Sequence, residues 1–113
     1  MIEFAFSING TDHTFRFTAA TCKKFAQVGG SMDMVYSNPV GLLEAFIRAF
    51  LADESAVSAT KAEKMAEDII NEYAIDDIMA IFIKKYSEVF TLGEKKILSE
   101  IDPTLMTETK EPK

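Results

Sequence analysis

The chain has 113 residues, 48% of them hydrophobic and 27% charged, enough apolar content for one packed core but too short for two domains of ordinary size. Its 18 acidic residues against 12 basic ones leave a net charge of −6. That field repels phosphate backbones and anionic lipid, so neither nucleic acid nor a membrane surface is expected as a partner.

From Ile2 to Ile8, apolar residues alternate with polar or small ones, Asn9-Gly10 follows, and a second run ends in Phe15-Arg16-Phe17. This is the signature of a β-hairpin over residues 2–17 closed by a two-residue type I′ turn. The register that follows sets Ile8 against Thr11, Phe6 against His13, Phe4 against Phe15 and Ile2 against Phe17, giving one face that is nearly all aromatic. Glu3 then meets Arg16 on the solvent side. Asn9-Gly10-Thr11 also spells a glycosylation sequon, but turn chemistry accounts for it.

A lone hairpin is marginal in water, so helices must cover the phenylalanine face. Thr18 is the expected N-cap of a first helix, about residues 19–28, with Phe17 and Cys22 as a hydrophobic staple and Gly29-Gly30 as the stop. Residues 31–38 fit neither period cleanly. Residues 40–52 carry Leu42, Leu43, Phe46, Ile47, Phe50 and Leu51 at helical spacing, with Glu44 and Arg48 paired outside. Thr60 and Glu63 read as a capping box opening a helix over residues 60–73, whose inner stripe is Ala62, Met65, Ala66, Ile69, Ile70 and Tyr73. A last helix over residues 76–91 starts at Asp76-Asp77, carries a stripe from Ile75 to Phe90, and has Gly93 in the C′ position; no Gly or Pro compels a break before it, so one longer continuous helix is the alternative. Ile97, Leu98 and Ile101 suit one short further element. The expectation is one α+β domain over residues 1–101, a hairpin packed on about four helices, followed by a mobile tail over residues 102–113.

The stretch from Ile75 to Phe90 is broken by Asp76, Asp77, Lys84, Lys85 and Glu88, charges that a hydrocarbon core penalises. Met1 to Phe4 show no basic region leading into an apolar one, so no secretory leader is read. Cys22 is the single cysteine, which agrees with a reducing cytoplasm.

Chemistry has few carriers here. A nucleophile with its base would have to come from Cys22 and His13, yet the register puts His13 on the hairpin and the staple puts Cys22 in the first helix, so both read as structural. Two such residues are too few for structural zinc. The pairs Asp53-Glu54 and Asp76-Asp77 lack the alternating ligands of a calcium loop and read as helix-end charge. No catalytic residue, metal or cofactor is expected. What remains is apolar side chains outside the helical stripes: Met32, Met34 and Tyr36 in the irregular segment and Ile81 on the last helix. These four are the candidate partner-binding residues.

The order of elements, with Ile8-Asn9-Gly10, Phe15-Arg16-Phe17, Pro39-Val40-Gly41-Leu42-Leu43, the helix from Thr60 to Tyr73, and Ala74-Ile75-Asp76-Asp77-Ile78, resembles the tail assembly chaperones of long-tailed bacteriophages and prophages, particularly those of Gram-positive hosts. The likeness spans roughly residues 1–93 and rests on diffuse patterns. It implies an assembly factor of the host cytoplasm, absent from the mature virion. Such a factor binds the tape measure protein, keeps it soluble and helps recruit tail tube protein. It implies no catalytic residues; some members self-associate, and some occur in short and frameshift-extended forms, for which Glu94-Lys95-Lys96 is a candidate slip site. The alternative reading is an acidic antitoxin or regulatory adaptor binding a basic protein partner. A third, an enzyme using Cys22, ranks last.

Overall fold

The computed structural model describes residues 2–91. In chain order it contains β1 (Ile2–Ile8), β2 (Thr11–Phe17), α1 (Ala19–Gln27), α2 (Met34–Ser37), α3 (Pro39–Phe50), α4 (Ala59–Glu72) and α5 (Ile75–Glu88). The architecture is α+β, a two-stranded antiparallel sheet packed on helices. Gly93 as a C′ residue, the slip site at 94–96, the short element at 97–101 and the tail at 102–113 lie outside the described residues.

The hairpin adopts the register expected from its turn: Ile2 pairs with Phe17, Glu3 with Arg16, Phe4 with Phe15, Phe6 with His13 and Ile8 with Thr11. Asn9 and Gly10 have φ of 52° and 83°, the left-handed pair that a type I′ turn requires. On the solvent face the Arg16 Nε donates to Glu3 Oε2 at 2.7 Å. An exposed pair of this kind contributes about 1 kcal/mol at most.

Thr18 caps α1 as expected, its hydroxyl accepting from Thr21 N at 3.1 Å, while the Thr18 N–H donates to Thr21 Oγ1 at 2.8 Å. The helix ends in a Schellman arrangement, with Gly30 N donating to Phe25 O at 2.9 Å and Gly29 N to Ala26 O at 3.1 Å. Gly29 takes the left-handed position with φ of 89°. Gly30 is needed for a different reason: a Cβ there would sit 2.3 Å from the Phe25 ring. The ambiguous segment 31–38 contains the single turn of α2, which packs on α3. Asn38 caps α3 through Oδ1, which accepts from Gly41 N at 3.1 Å, and Pro39 occupies the first helical position.

Three local expectations are corrected. The cap of α4 is Ser58, whose Oγ accepts from Lys61 N at 3.1 Å, rather than a Thr60/Glu63 box. Burial decides between the two: Val57 and Ala62 are both inside, at the N′ and N4 positions of a staple, which leaves Thr60 within the first turn. Arg48 does not pair with Glu44; its Nε donates to the Val57 carbonyl at 3.2 Å, tying α3 to the start of α4. The inner stripes are also narrower than expected. Ile70 is 39% exposed because Ala62, Met65, Ala66 and Ile69 already fill the contact. Phe90 is 61% exposed, since α5 ends at Glu88, although its ring still lies 5.3 Å from that of Tyr86.

The core joins hairpin and helices through aromatic rings. Phe17 stacks on Phe50 at 4.4 Å, Phe46 stacks on Phe82 at 4.8 Å, and Phe15 meets Phe82 edge-on at 5.0 Å. Phe15 has no exposed surface, and its strand is bridged on the outer side by Leu51, with Ala52 N donating to Thr14 O at 2.8 Å. Phe15→Ala is therefore expected to cost about 3 to 5 kcal/mol in denaturant unfolding, and a loss under about 1 kcal/mol would remove Phe15 from the core. Gly30→Ala is expected to cost about 1 to 3 kcal/mol, because the Phe25 ring must leave its rotamer; an unchanged thermal midpoint would show that the ring yields freely.

Candidate functional site

Of the four sequence-derived candidates, Tyr36 is the most accessible at 92%, standing on α2 with no buried residue in its helix. Met32 and Met34 are half-buried and pack against the core, so they anchor α2 as much as they offer surface. Ile81 is 37% exposed on α5. The four do not share one helix face: α2 packs on α3, whereas α5 packs on β1. Val40, the second residue of α3 and four beyond Tyr36 in sequence, is 41% exposed as well. Its position ahead of the Leu42 stripe was the signal that would have found it.

Beside α2 runs an open groove of about 350 Å³, part of it solvent, between the end of α1, α2, α3 and the start of α4. Met34 forms one wall, and Glu44 and Arg48 bring polar groups to it. Arg48 is already engaged by the Val57 carbonyl. The groove is thus a shallow depression of mixed lining, in which the side chain of Met34 lies beside Glu44 and Arg48.

The residues weighed for chemistry are placed apart in role. Cys22 is buried on α1. His13 turns its Nδ1 to Asp53 Oδ2 at 2.6 Å, a contact 40 residues apart in sequence that fastens the loop after α3 to β2. Among the described residues, no three His, Cys, Asp or Glu side chains are grouped to hold a metal ion. Among the same residues, no helix is long and apolar enough to cross a membrane.

Several surface charges meet their neighbours. Lys61 pairs with Glu54, and Lys64 reaches Asp68 at 3.0 Å and Glu67 at 3.7 Å. The hydrogen bond to Asp68 and its charge hold the exposed Lys64 ammonium above the ordinary lysine value. Comparison with protein-family models, with curated proteins and with solved structures returns no match.

Because the Tyr36 ring is almost wholly solvated, Tyr36→Ala is expected to change unfolding free energy by no more than about 0.5 kcal/mol. A larger loss in chemical denaturation would mean the ring supports the fold and is not available to a partner.

Proposed function

We propose that this chain is a tail assembly chaperone that binds the tape measure protein, keeps it soluble and helps recruit tail tube protein around it. The resemblance stated for the sequence supports the reading, and so does one structural observation. A nearly fully exposed tyrosine stands on a single-turn helix whose half-buried Met34 lines a groove of mixed polar and apolar character. Aromatic and methionine side chains in such a setting grip the apolar face of an amphipathic helix without demanding one sequence, because methionine adapts its shape and tyrosine brings area at little entropic cost. A tape measure protein offers many such faces. In this reading Tyr36, Val40 and Met34 make the first contact and Ile81 a second, separate one.

Burial of apolar surface is only weakly screened by salt, so complex formation with a co-expressed tape measure fragment is expected to persist at moderate ionic strength. The combined variant Met32→Ser, Met34→Ser, Tyr36→Ser and Ile81→Ser is expected to lose co-elution in size-exclusion chromatography. Tyr36→Ser alone should weaken it. Binding that survives all four changes in a folded protein would move the contact elsewhere, and failure of the wild-type chain to bind any tape measure fragment would overturn the chaperone reading.

A further inference from the structure

The turn fixes which backbone groups of the hairpin point outward. With a two-residue loop, Ile8 and Thr11 form a hydrogen-bonded pair, and alternation along an antiparallel ladder then directs the main-chain groups of Ile8, Phe6, Phe4 and Ile2 toward β2. Those of Ser7, Ala5 and Glu3 face away from it, as do those of Asp12, Thr14 and Arg16 on β2. The contacts outside the hairpin agree. The Ser7 carbonyl accepts from Tyr73 Oη at 2.7 Å, the Thr14 carbonyl from Ala52 N at 2.8 Å and the Arg16 carbonyl from Thr21 Oγ1 at 3.0 Å.

The two edges differ. On β2 the outward carbonyls of Thr14 and Arg16 accept from Ala52 and Thr21, whereas among the described residues the outward groups of β1 are bonded at Ser7 alone. Among the described residues, nothing bonds to the outward N–H and C=O groups of Glu3 and Ala5, both exposed residues. The apolar face shows the same asymmetry. Phe15 and Phe17 on β2 are sealed, yet Ile2, Phe4 and Phe6 on β1 are only half-buried, so the aromatic layer extends past its cover at the β1 side. An edge strand with free backbone groups beside uncovered aromatic surface invites strand addition.

We propose that β1 is a self-complementary edge on which a second copy of this chain docks antiparallel, with Phe4 at the two-fold axis. Read backwards, Ile2 to Ile8 is Ile-Ser-Phe-Ala-Phe-Glu-Ile, with apolar residues in the same positions, so an antiparallel copy continues the apolar face on one side and small or charged residues on the other. Only outward residues can exchange hydrogen bonds across the new edge, which leaves three registers that pair Glu3; the other two need Ser7, whose carbonyl the Tyr73 hydroxyl holds. Glu3 opposite Glu3 of the second copy sets like charges together. Glu3 opposite Ser7 needs the position that the Tyr73 hydroxyl holds. Glu3 opposite Ala5 uses all the free groups, leaves Tyr73 in place and keeps Glu3 beside Arg16. It sets Phe4 against its own symmetry mate and Ile2 against Phe6, making a four-stranded sheet with a closed, isologous interface. The interface is short, so association is weak and concentration-dependent. This inference does not rest on the chaperone reading.

Sedimentation of the full chain from micromolar to millimolar concentration, combined with residue-resolved amide exchange, tests it. A monomer–dimer equilibrium is expected, with the Glu3 and Ala5 amides exchanging fast when dilute and slowly when concentrated; the Phe4 and Phe6 amides should be protected in both. Ala5→Pro removes an outward N–H without taking a bond from the hairpin, so it should stay folded by circular dichroism and be monomeric. Should the proline disturb the strand, Phe4→Cys gives an independent readout. Facing residues at a non-hydrogen-bonded pair lie close enough to form an intersubunit disulfide on mild oxidation. The proposal is overturned by a chain that remains monomeric throughout. It is equally overturned by a dimer whose Glu3 and Ala5 amides stay unprotected, or by protection that appears only when a tape measure fragment is added.

Discussion

Everything in this fold depends on the ring of Phe82. It has no exposed surface, and the rings of Phe4, Phe15, Phe17 and Phe46 all lie within 6 Å of it, centroid to centroid. Three of these come from the hairpin and one from α3, so a single side chain on α5 joins the sheet to the helical layer. The edge-on approach of Phe4 and Phe15 and the stacked approach of Phe46 match the preferred geometries of aromatic pairs. A two-stranded sheet has little stability of its own. Its persistence here reflects the wall that α3 and α5 build around that ring, and the placement of α5 follows from the extended backbone at Tyr73 and Ala74 that separates it from α4.

How far the sequence reveals this structure varies with the range of the interaction concerned. The hairpin and its register are legible residue by residue, because Asn9-Gly10 imposes its turn locally and a one-residue slip would expose every phenylalanine. The helices are legible as apolar stripes, but their edges are not. Ser58 and Thr60 are equally competent caps on paper, and only the burial of Val57 selects the former. The stripe rule also takes in Ile70 and Phe90, which tertiary packing leaves outside. Contacts spanning 40 to 66 residues, such as His13 with Asp53 or Tyr73 with Ser7, leave no local pattern at all.

The candidate surface divides in the same way. Ile81 stands out in the sequence because it falls off the stripe of its helix, and Tyr36 because it lies in the irregular segment outside any stripe; both are exposed. Met32 and Met34 lie in a segment too short and irregular for periodicity to assign, and they turn half inward to seat α2 on its neighbours. The groove beside them gathers residues from four helices, so no inspection of one segment could have drawn it. The two proposals use opposite parts of the same economy of cover: α2 is too small to hide its tyrosine, and among the described residues the β1 strand keeps Ile2, Phe4 and Phe6 only half-buried.

One contact carries a consequence for the order of events in folding. The tip of the hairpin is clasped by the end of α4, where the Glu72 carboxylate accepts from Asn9 N and the Tyr73 hydroxyl donates to the Ser7 carbonyl. Hairpins close within microseconds from purely local chain motion, but these partners lie 63 and 66 residues away and must wait for the intervening helices to dock. The element that forms first is thus among the last to be fastened. Until α4 docks, the hairpin lacks both of these clamps at its tip and has only the marginal stability of two strands.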